Sequence, residues 1–387
     1  MPTTEPPLPR AAFPVTERWS YLNHAGINAL PVPALRAIER CALEAATDGG
    51  VAYPAHAARA EEVRQAAARL MGVPQRDVAF VKNTTEGLGF VASGLAWSEG
   101  DRVVVPDLEF PSTLYPWLAL RDLGVVVDVV RPVGAGRCLP PASFAEVIAA
   151  GRPPKVVATS WVQFGRGWRT DLAAVAALAH DAGALLCADV IQGLGVIPAE
   201  LEAWGVDFAM ADAHKWLLGP LGIGVLYVRE SCLDRLRPLE PGWASVAHRE
   251  DWDNLELVWD EGARRLEGGT ANICGIHGLG ASLDLLLGAG VADVWVHVSS
   301  LCEQACVALG QAGARVLSDR SPQGRSGIVT FSVDAHDPVA VVETLRGRGI
   351  VCSPRGGGIR LSPHGYNSPA EIDELAAAVA ELAATRR

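Results

Sequence analysis

Short runs of apolar, often β-branched residues alternate with longer alanine- and leucine-rich stretches over the first 230 positions of this 387-residue chain. The runs at 78–81, 102–105, 125–130, 156–161, 184–188, 208–211 and 222–228 are apolar at successive positions. That pattern belongs to central strands covered by helices on both faces. Helical stretches between them fall at 55–70, 87–95, 113–123 and 172–182. Repeated strand–helix order implies a mainly parallel α/β sheet with right-handed crossovers, whose ligands gather at the carboxyl ends of its strands. From about 272 the texture changes to helices at 275–287 and 294–312, then strands at 315–317 and 327–333. A helix at 338–348, strands at 350–352 and 359–361, and a last helix at 369–385 complete the pattern. The expected organisation is a proline-rich irregular arm at 1–20, a large α/β domain at 21–271 and a smaller α+β domain at 272–387. Two domains suit a length beyond what one hydrophobic core usually organises.

Composition narrows the function classes. With 49% hydrophobic and 20% charged residues the chain is a folded globular protein. A net charge of −11 and the lack of a basic stripe exclude a general nucleic-acid surface. Eight cysteines occur without a C-x-x-C pair, as expected for reduced thiols; Cys302 and Cys306 share a helix face but suit core packing, so no metal set is expected. The amino-terminal residues lack an apolar export segment, and no uncharged apolar run reaches the roughly 20 residues that span a bilayer. A cytoplasmic protein is expected.

Three lysines stand among thirty-three basic residues. Lys215 lies between two apolar runs, beside Trp216 and Leu217. Partial burial lowers a lysine's pKa and makes it a nucleophile able to condense with an aldehyde; a lysine snorkelling from a loop reads the same way. Asn83 and Glu86 have capping-box spacing, so Asn83, Thr84 and Thr85 open a helix whose N–H groups suit either a phosphate or plain capping. Asp189 ends an apolar strand, where it faces a cation or donor such as a pyridinium nitrogen, or caps the next helix. Phe110 follows a strand and stacks on a planar ring or fills core. Arg360, between apolar neighbours, grips a carboxylate or forms a structural salt bridge.

Together these residues resemble the class-V group of fold-type I pyridoxal-phosphate enzymes, which includes cysteine desulfurases, selenocysteine lyases and isopenicillin N epimerase-like proteins. The resemblance runs from Tyr21 to the carboxyl terminus. It rests on YLNHAG (21–26), NTTE (83–86), DVIQ (189–192), HKWLLGP (214–220), EGGTAN (267–272) and RLSPHGYN (360–367), in that order. It implies that Lys215 carries pyridoxal 5'-phosphate and Asp189 pairs with the ring nitrogen. By the same likeness Gln192 and Gln163 approach the ring hydroxyl, Phe110 stacks, and Thr84, Thr85 and His214 complete the cofactor site. Thr270 resembles a threonine that reaches the neighbouring subunit's phosphate, which implies a homodimer with shared sites. Arg360 matches the arginine for the substrate carboxylate, and Asn23 and His24 border the substrate pocket. Two departures stand out: Asp212 where many relatives have serine, and a shortened stretch, GIVCSPRGGGIR (349–360), in which Cys352 falls within the strand and not on a mobile loop. The implied reaction is Cα deprotonation of an amino acid joined to the cofactor, of the epimerase/aminotransferase kind. A β-eliminating C–S lyase or desulfurase is the alternative, and a pyridoxal-binding scaffold without turnover is a third reading.

Overall fold

The computed structural model describes residues 5–385. The chain enters through two 3-10 turns, Arg10–Ala12 and Pro14–Glu17, so the expected arm is not wholly irregular. Leu8 and Phe13 are fully buried, and Phe13 stacks on Tyr366 with ring centroids 3.9 Å apart. These apolar contacts seat the arm against the carboxyl-terminal part of the molecule. Strand β1 (Ser20–Tyr21) and helices α1 (Val32–Thr47) and α2 (Tyr53–Met71) follow.

The main sheet comprises β2 (Val78–Val81), β3 (Arg102–Pro106), β4 (Val126–Val130), β5 (Val156–Ser160), β6 (Leu185–Asp189), β7 (Phe208–Asp212) and β8 (Gly224–Val228). Helices α3 (Thr84–Gly94), α4 (Pro111–Ala119), α5 (Pro141–Ala149) and α6 (Leu172–Asp181) connect them. The strand order is β2-β8-β7-β6-β5-β3-β4. Only β8 runs against its neighbours; the pairs from β7 to β4 are parallel. The carboxyl ends of β2, β3, β5, β6 and β7 therefore share one edge. All strands but the edge strand β4 are buried at every position, which is why they read as unbroken apolar runs. Proline stands in the first turn of α1, α2, α4 and α5, where its missing N–H costs nothing. The expected helix at 113–123 divides: α4 contains Pro116 and tightens after Ala119 into a 3-10 turn.

Helices α7 (Ile273–Ala289) and α8 (Val291–Gln311) lead to a second, antiparallel sheet. It is formed by β9 (Ala314–Val316) and β10 (Val329–Val333), followed, beyond α9 (Pro338–Gly347) and β11 (Ile350–Val351), by β12 (Ser353–Arg355) and β13 (Gly358–Leu361). Helix α10 (Pro369–Ala384) closes the chain. The expected strand at 350–352 splits at Cys352, because β11 pairs with β1 while β12 pairs with β13. Gly356 and Gly357, both at positive φ (64° and 80°), form the tight hairpin turn between β12 and β13. Contacts across the expected boundary at 272 are extensive. Helix α7 packs on α1 and α2, and its Ser282 Oγ donates to the Leu218 carbonyl at 2.7 Å. An apolar helix face does not say which partner covers it. No single helix among the described residues is long and apolar enough to cross a membrane.

Candidate active site

The carboxyl edge of the main sheet opens into a cavity of about 620 Å³. Nine of the residues singled out in the sequence line it: Asn23, Thr84, Thr85, Phe110, Asp189, Gln192, His214, Lys215 and Arg360. Lys215 follows β7 by three residues and is half-buried, with Nζ 5.6 Å from the centroid of the Phe110 ring. Burial pulls the Lys215 amine down to about 8; Asp189 opposes that shift and Arg360 adds to it. Asp189 ends β6 with its carboxylate fixed by two donors, Thr113 Oγ1–H at 2.9 Å and the Ile191 N–H at 3.0 Å. Desolvation still raises the Asp189 pKa against those donors and against Lys215. Gln192, which lines the cavity, donates to the Ala25 carbonyl and accepts from Trp216 Nε1–H, which locks the amide and leaves one N–H to spare.

Helix α3 starts at the end of β2 by local chemistry. Asn83 Oδ1 accepts the Glu86 N–H at 2.9 Å, while the Glu86 carboxylate accepts from Lys82 N–H at 2.5 Å, one residue earlier than a closed capping box requires. The first-turn N–H groups of Thr84 and Thr85 have no partner within the helix, and both residues line the cavity. Thr84 Oγ1 accepts the Asp212 N–H at 3.0 Å, which frees its own proton to donate. Thr85 Oγ1 donates to Ser112 Oγ at 2.8 Å. Asp212 lines the same end with Oδ1 buried and unpartnered, and its Oδ2 is 3.6 Å from His214 Nδ1.

The opposite wall comes from the second sheet and the amino-terminal segment. Arg360 in β13 is 3% exposed and reaches across to the loop after β5, donating to the Phe164 carbonyl at 2.7 Å and to Ser353 Oγ at 3.2 Å. Its Nε is buried without a partner. Burial, then the nearby Arg355, lowers its pKa to about 9. Asn23 bridges to Ser362 and accepts from Ser353 Oγ at 2.8 Å, and the pairing of β1 with β11 brings this segment to the cavity.

Three expected residues are not brought in. Gln163 lines a neighbouring hollow, and both ends of its amide are spent on the Leu108 carbonyl and on the Gly165 and Arg166 N–H groups. His24 is fully buried behind the wall, between the Ser362 carbonyl and the Tyr366 hydroxyl. Thr270 is exposed and lies in a separate groove with Lys82 and Gly222. Sequence reasoning missed Ser112, Ser160, Phe164 and Ser353, all of which line the cavity. Ser112 carried a usable signal, standing two residues after Phe110 at a helix start; Ser353 carried none. Glu109 was also overlooked. Its buried carboxylate accepts the Ser160 N–H at 2.7 Å, pins the Phe110 loop to β5, and is raised by burial to about 7. Cys352 is 2% exposed, lies outside the cavity lining and has a thiol pushed up by burial to about 12.

Residues 21–375 match the model of the aminotransferase class-V family. A probable cysteine desulfurase of Methanothermobacter thermautotrophicus is 30% identical, over 97% of this chain and 97% of its own. An uncharacterized aminotransferase of Bacillus subtilis is 29% identical over 95% and 96%. Among solved structures, a cysteine desulfurase from Thermococcus onnurineus superposes with a TM-score of 0.89 at 25% identity, covering all of both chains. The cystine C–S lyase C-DES, in complex with its product cysteine persulfide, gives 0.88 at 26% identity over 95% of this chain and 99% of its own. With its amine, carboxylate and guanidinium gathered at the carboxyl edge of such a sheet, this chain belongs to the class-V aminotransferase family of pyridoxal-phosphate-dependent enzymes.

Proposed function

We propose that the enzyme holds pyridoxal 5'-phosphate along the carboxyl edge of the main sheet and that Lys215 removes the Cα proton of an amino acid gripped by Arg360. One observation carries this reading: a lysine lowered to about 8 shares a single cavity with a donor-anchored carboxylate and a guanidinium whose buried Nε has no partner. The donor set fits the group. Asp189 suits the ring nitrogen, the free Gln192 N–H suits the ring hydroxyl, Phe110 offers a ring face, and the α3 amino terminus with Thr84, Thr85 and Ser112 suits the phosphate. Asp212 alone disfavours an anion, and His214 is the imidazole placed to offset it when protonated. When bound, the cofactor supplies an aldehyde that condenses with amines and a ring that takes up the electron pair released at Cα.

Arg360 orients the substrate by a charge-assisted grip on its carboxylate, using N–H groups that Phe164 and Ser353 leave free. Lys215, neutral above about 8, accepts the Cα proton at Nζ. The finer reading is β-elimination at a carbon–sulfur bond: the proton moves to Lys215 Nζ, a Cα–Cβ double bond forms, and the Cβ–S bond breaks with its pair leaving on sulfur. The sulfur-directed names of the relatives support it. No cysteine among the described residues lines the cavity, which favours sulfur leaving on the product and not on a protein thiol. Transamination is the second reading, supported by the aminotransferase name of the Bacillus relative; epimerisation by proton return to the other face of Cα shares the same first step. The purified enzyme incubated with cysteine, cystine and a panel of amino acids separates these. Pyruvate with a sulfur product supports elimination, pyridoxamine phosphate supports transamination, and solvent deuterium at Cα without other product supports epimerisation. No spectral change with any amine would sink all three and leave the scaffold reading.

We also propose a homodimer. Thr270 lies outside the cavity of its own chain, so it serves the phosphate only by reaching a second copy's cavity. The free cysteines support a cytoplasmic setting.

A further inference from the structure

Away from the active-site cavity, three helices bring together side chains that bind soft metal ions. Cys41 stands on α1, His56 on α2, and Cys274 and His277 on successive turns of one face of α7. Ligand atoms of Cys41, His56 and His277 all lie within 4.8 Å of one another. Cys274 Sγ is 3.3 Å from Cys41 Sγ. The two imidazole rings meet edge-on with centroids 4.9 Å apart. His56 is only 6% exposed, yet its Nε2 has no hydrogen-bond partner; the buried Nε2 of His277 has none either. Two orphaned imidazole nitrogens against a pair of thiols are costly unless something binds them.

We propose that Cys41, His56, Cys274 and His277 form a tetrahedral zinc site that clamps α1 and α2 to α7. Mixed thiolate and imidazole ligands select zinc among the common divalent ions. Bond lengths of ~2.3 Å to sulfur and ~2.0 Å to nitrogen set ligand–ligand edges of about 3.3–3.8 Å. The Cys41–Cys274 pair already meets this, whereas the Cys41, His56 and His277 atoms, within 4.8 Å of one another, and Cys274 Sγ toward the imidazoles draw in on binding. Two thiolates, two neutral imidazoles and Zn²⁺ sum to zero charge, which limits the cost of burying them. Binding releases the two thiol protons to solvent and changes no oxidation state. Glu44 Oε2 lies 3.9 Å from His56 Nε2, beyond hydrogen-bond reach, and so does not satisfy that nitrogen. Cys274 and His277 are only half-buried and give the ion a way in.

The test is metal analysis of the full-length holoenzyme, purified with reductant and without added metal. The expected result is about one zinc per chain, with cobalt(II) replacement giving the visible d–d and thiolate charge-transfer bands of a tetrahedral site. Cys274→Ser and His277→Ala should each lose the zinc and lower the thermal midpoint, while the cofactor absorbance persists. Cys274 is the first choice because its half-exposed position makes the variant tolerable even if Cys41→Ser does not fold. Three outcomes overturn the proposal: no zinc and no competition against a chromophoric zinc chelator; zinc retained undiminished by both variants; or a Cys41–Cys274 disulfide in protein that takes up no zinc.

Discussion

On the main-sheet wall of the cavity, Asp189 is met by two donors and the Gln192 amide is tied at both ends, whereas on the facing wall Arg360 keeps a buried Nε–H with no partner. The first wall grows from parallel strand ends that are buried and rigid. The second is a single guanidinium borne on a four-stranded sheet and paired with no carboxylate among the described residues. A group that stays through every turnover is served by polar atoms satisfied in advance. One that comes and goes is better served by a charge left wanting, because the cost of burying an unpaired cation is relieved only when the substrate carboxylate arrives. The proposed zinc cluster resembles the second wall in its orphaned donors, but it joins helices and faces no cavity.

The comparison breaks first at Lys215. Lys215→Ala should cut turnover by about 10²–10⁴-fold through loss of the base, and should abolish borohydride-stable attachment of the pyridoxyl group. A label found by mass analysis on another residue would end the assignment. Asp189→Asn keeps the hydrogen-bonded frame but removes the charge, and a loss of ~10²–10³-fold in kcat with little change in KM is expected. On the other wall, Arg360→Lys keeps the charge and loses the fork; the expected loss is about ten- to a hundredfold in kcat/KM, carried mainly by KM. An equal fall in kcat alone would mean that Arg360 acts on the chemistry and not on binding. Uptake of cofactor by the apoenzyme should rise with pH through about 8 and then level, since the Lys215 amine condenses only when neutral and is protonated below that value. A profile rising only near the ordinary lysine range contradicts the depressed value. Smallest of all, Cys352→Ser should leave turnover largely intact; complete loss would restore a thiol carrier.

The legible part of this site lay where a residue's chemistry conflicts with its neighbours. Lys215 and Asp189 interrupt apolar runs, and Asn83 with Glu86 spells a helix start, so each was visible within a few positions. Gln163 and His24 were expected from the family resemblance alone, and in the fold they are drawn into wall-building hydrogen bonds. Ser353 and Phe164 stayed invisible, because a serine in a hairpin strand and a phenylalanine in a loop look the same with or without a cavity beside them. Helix α7 shows the limit for architecture. Its apolar face was evident, but its attachment to α1 and α2 depends on partners more than two hundred residues earlier.

Local order alone was enough for the alternating strands and helices, the capping at α3 and the placing of a lone lysine at a strand end, since each depends on backbone and burial preferences within a few residues. Which way Gln163 turns, what Arg360 lacks, and that Cys41 meets Cys274 depend on packing between distant segments. Those facts come into being only when the core excludes water, for it is then that an unpaired nitrogen or charge acquires a cost and a purpose.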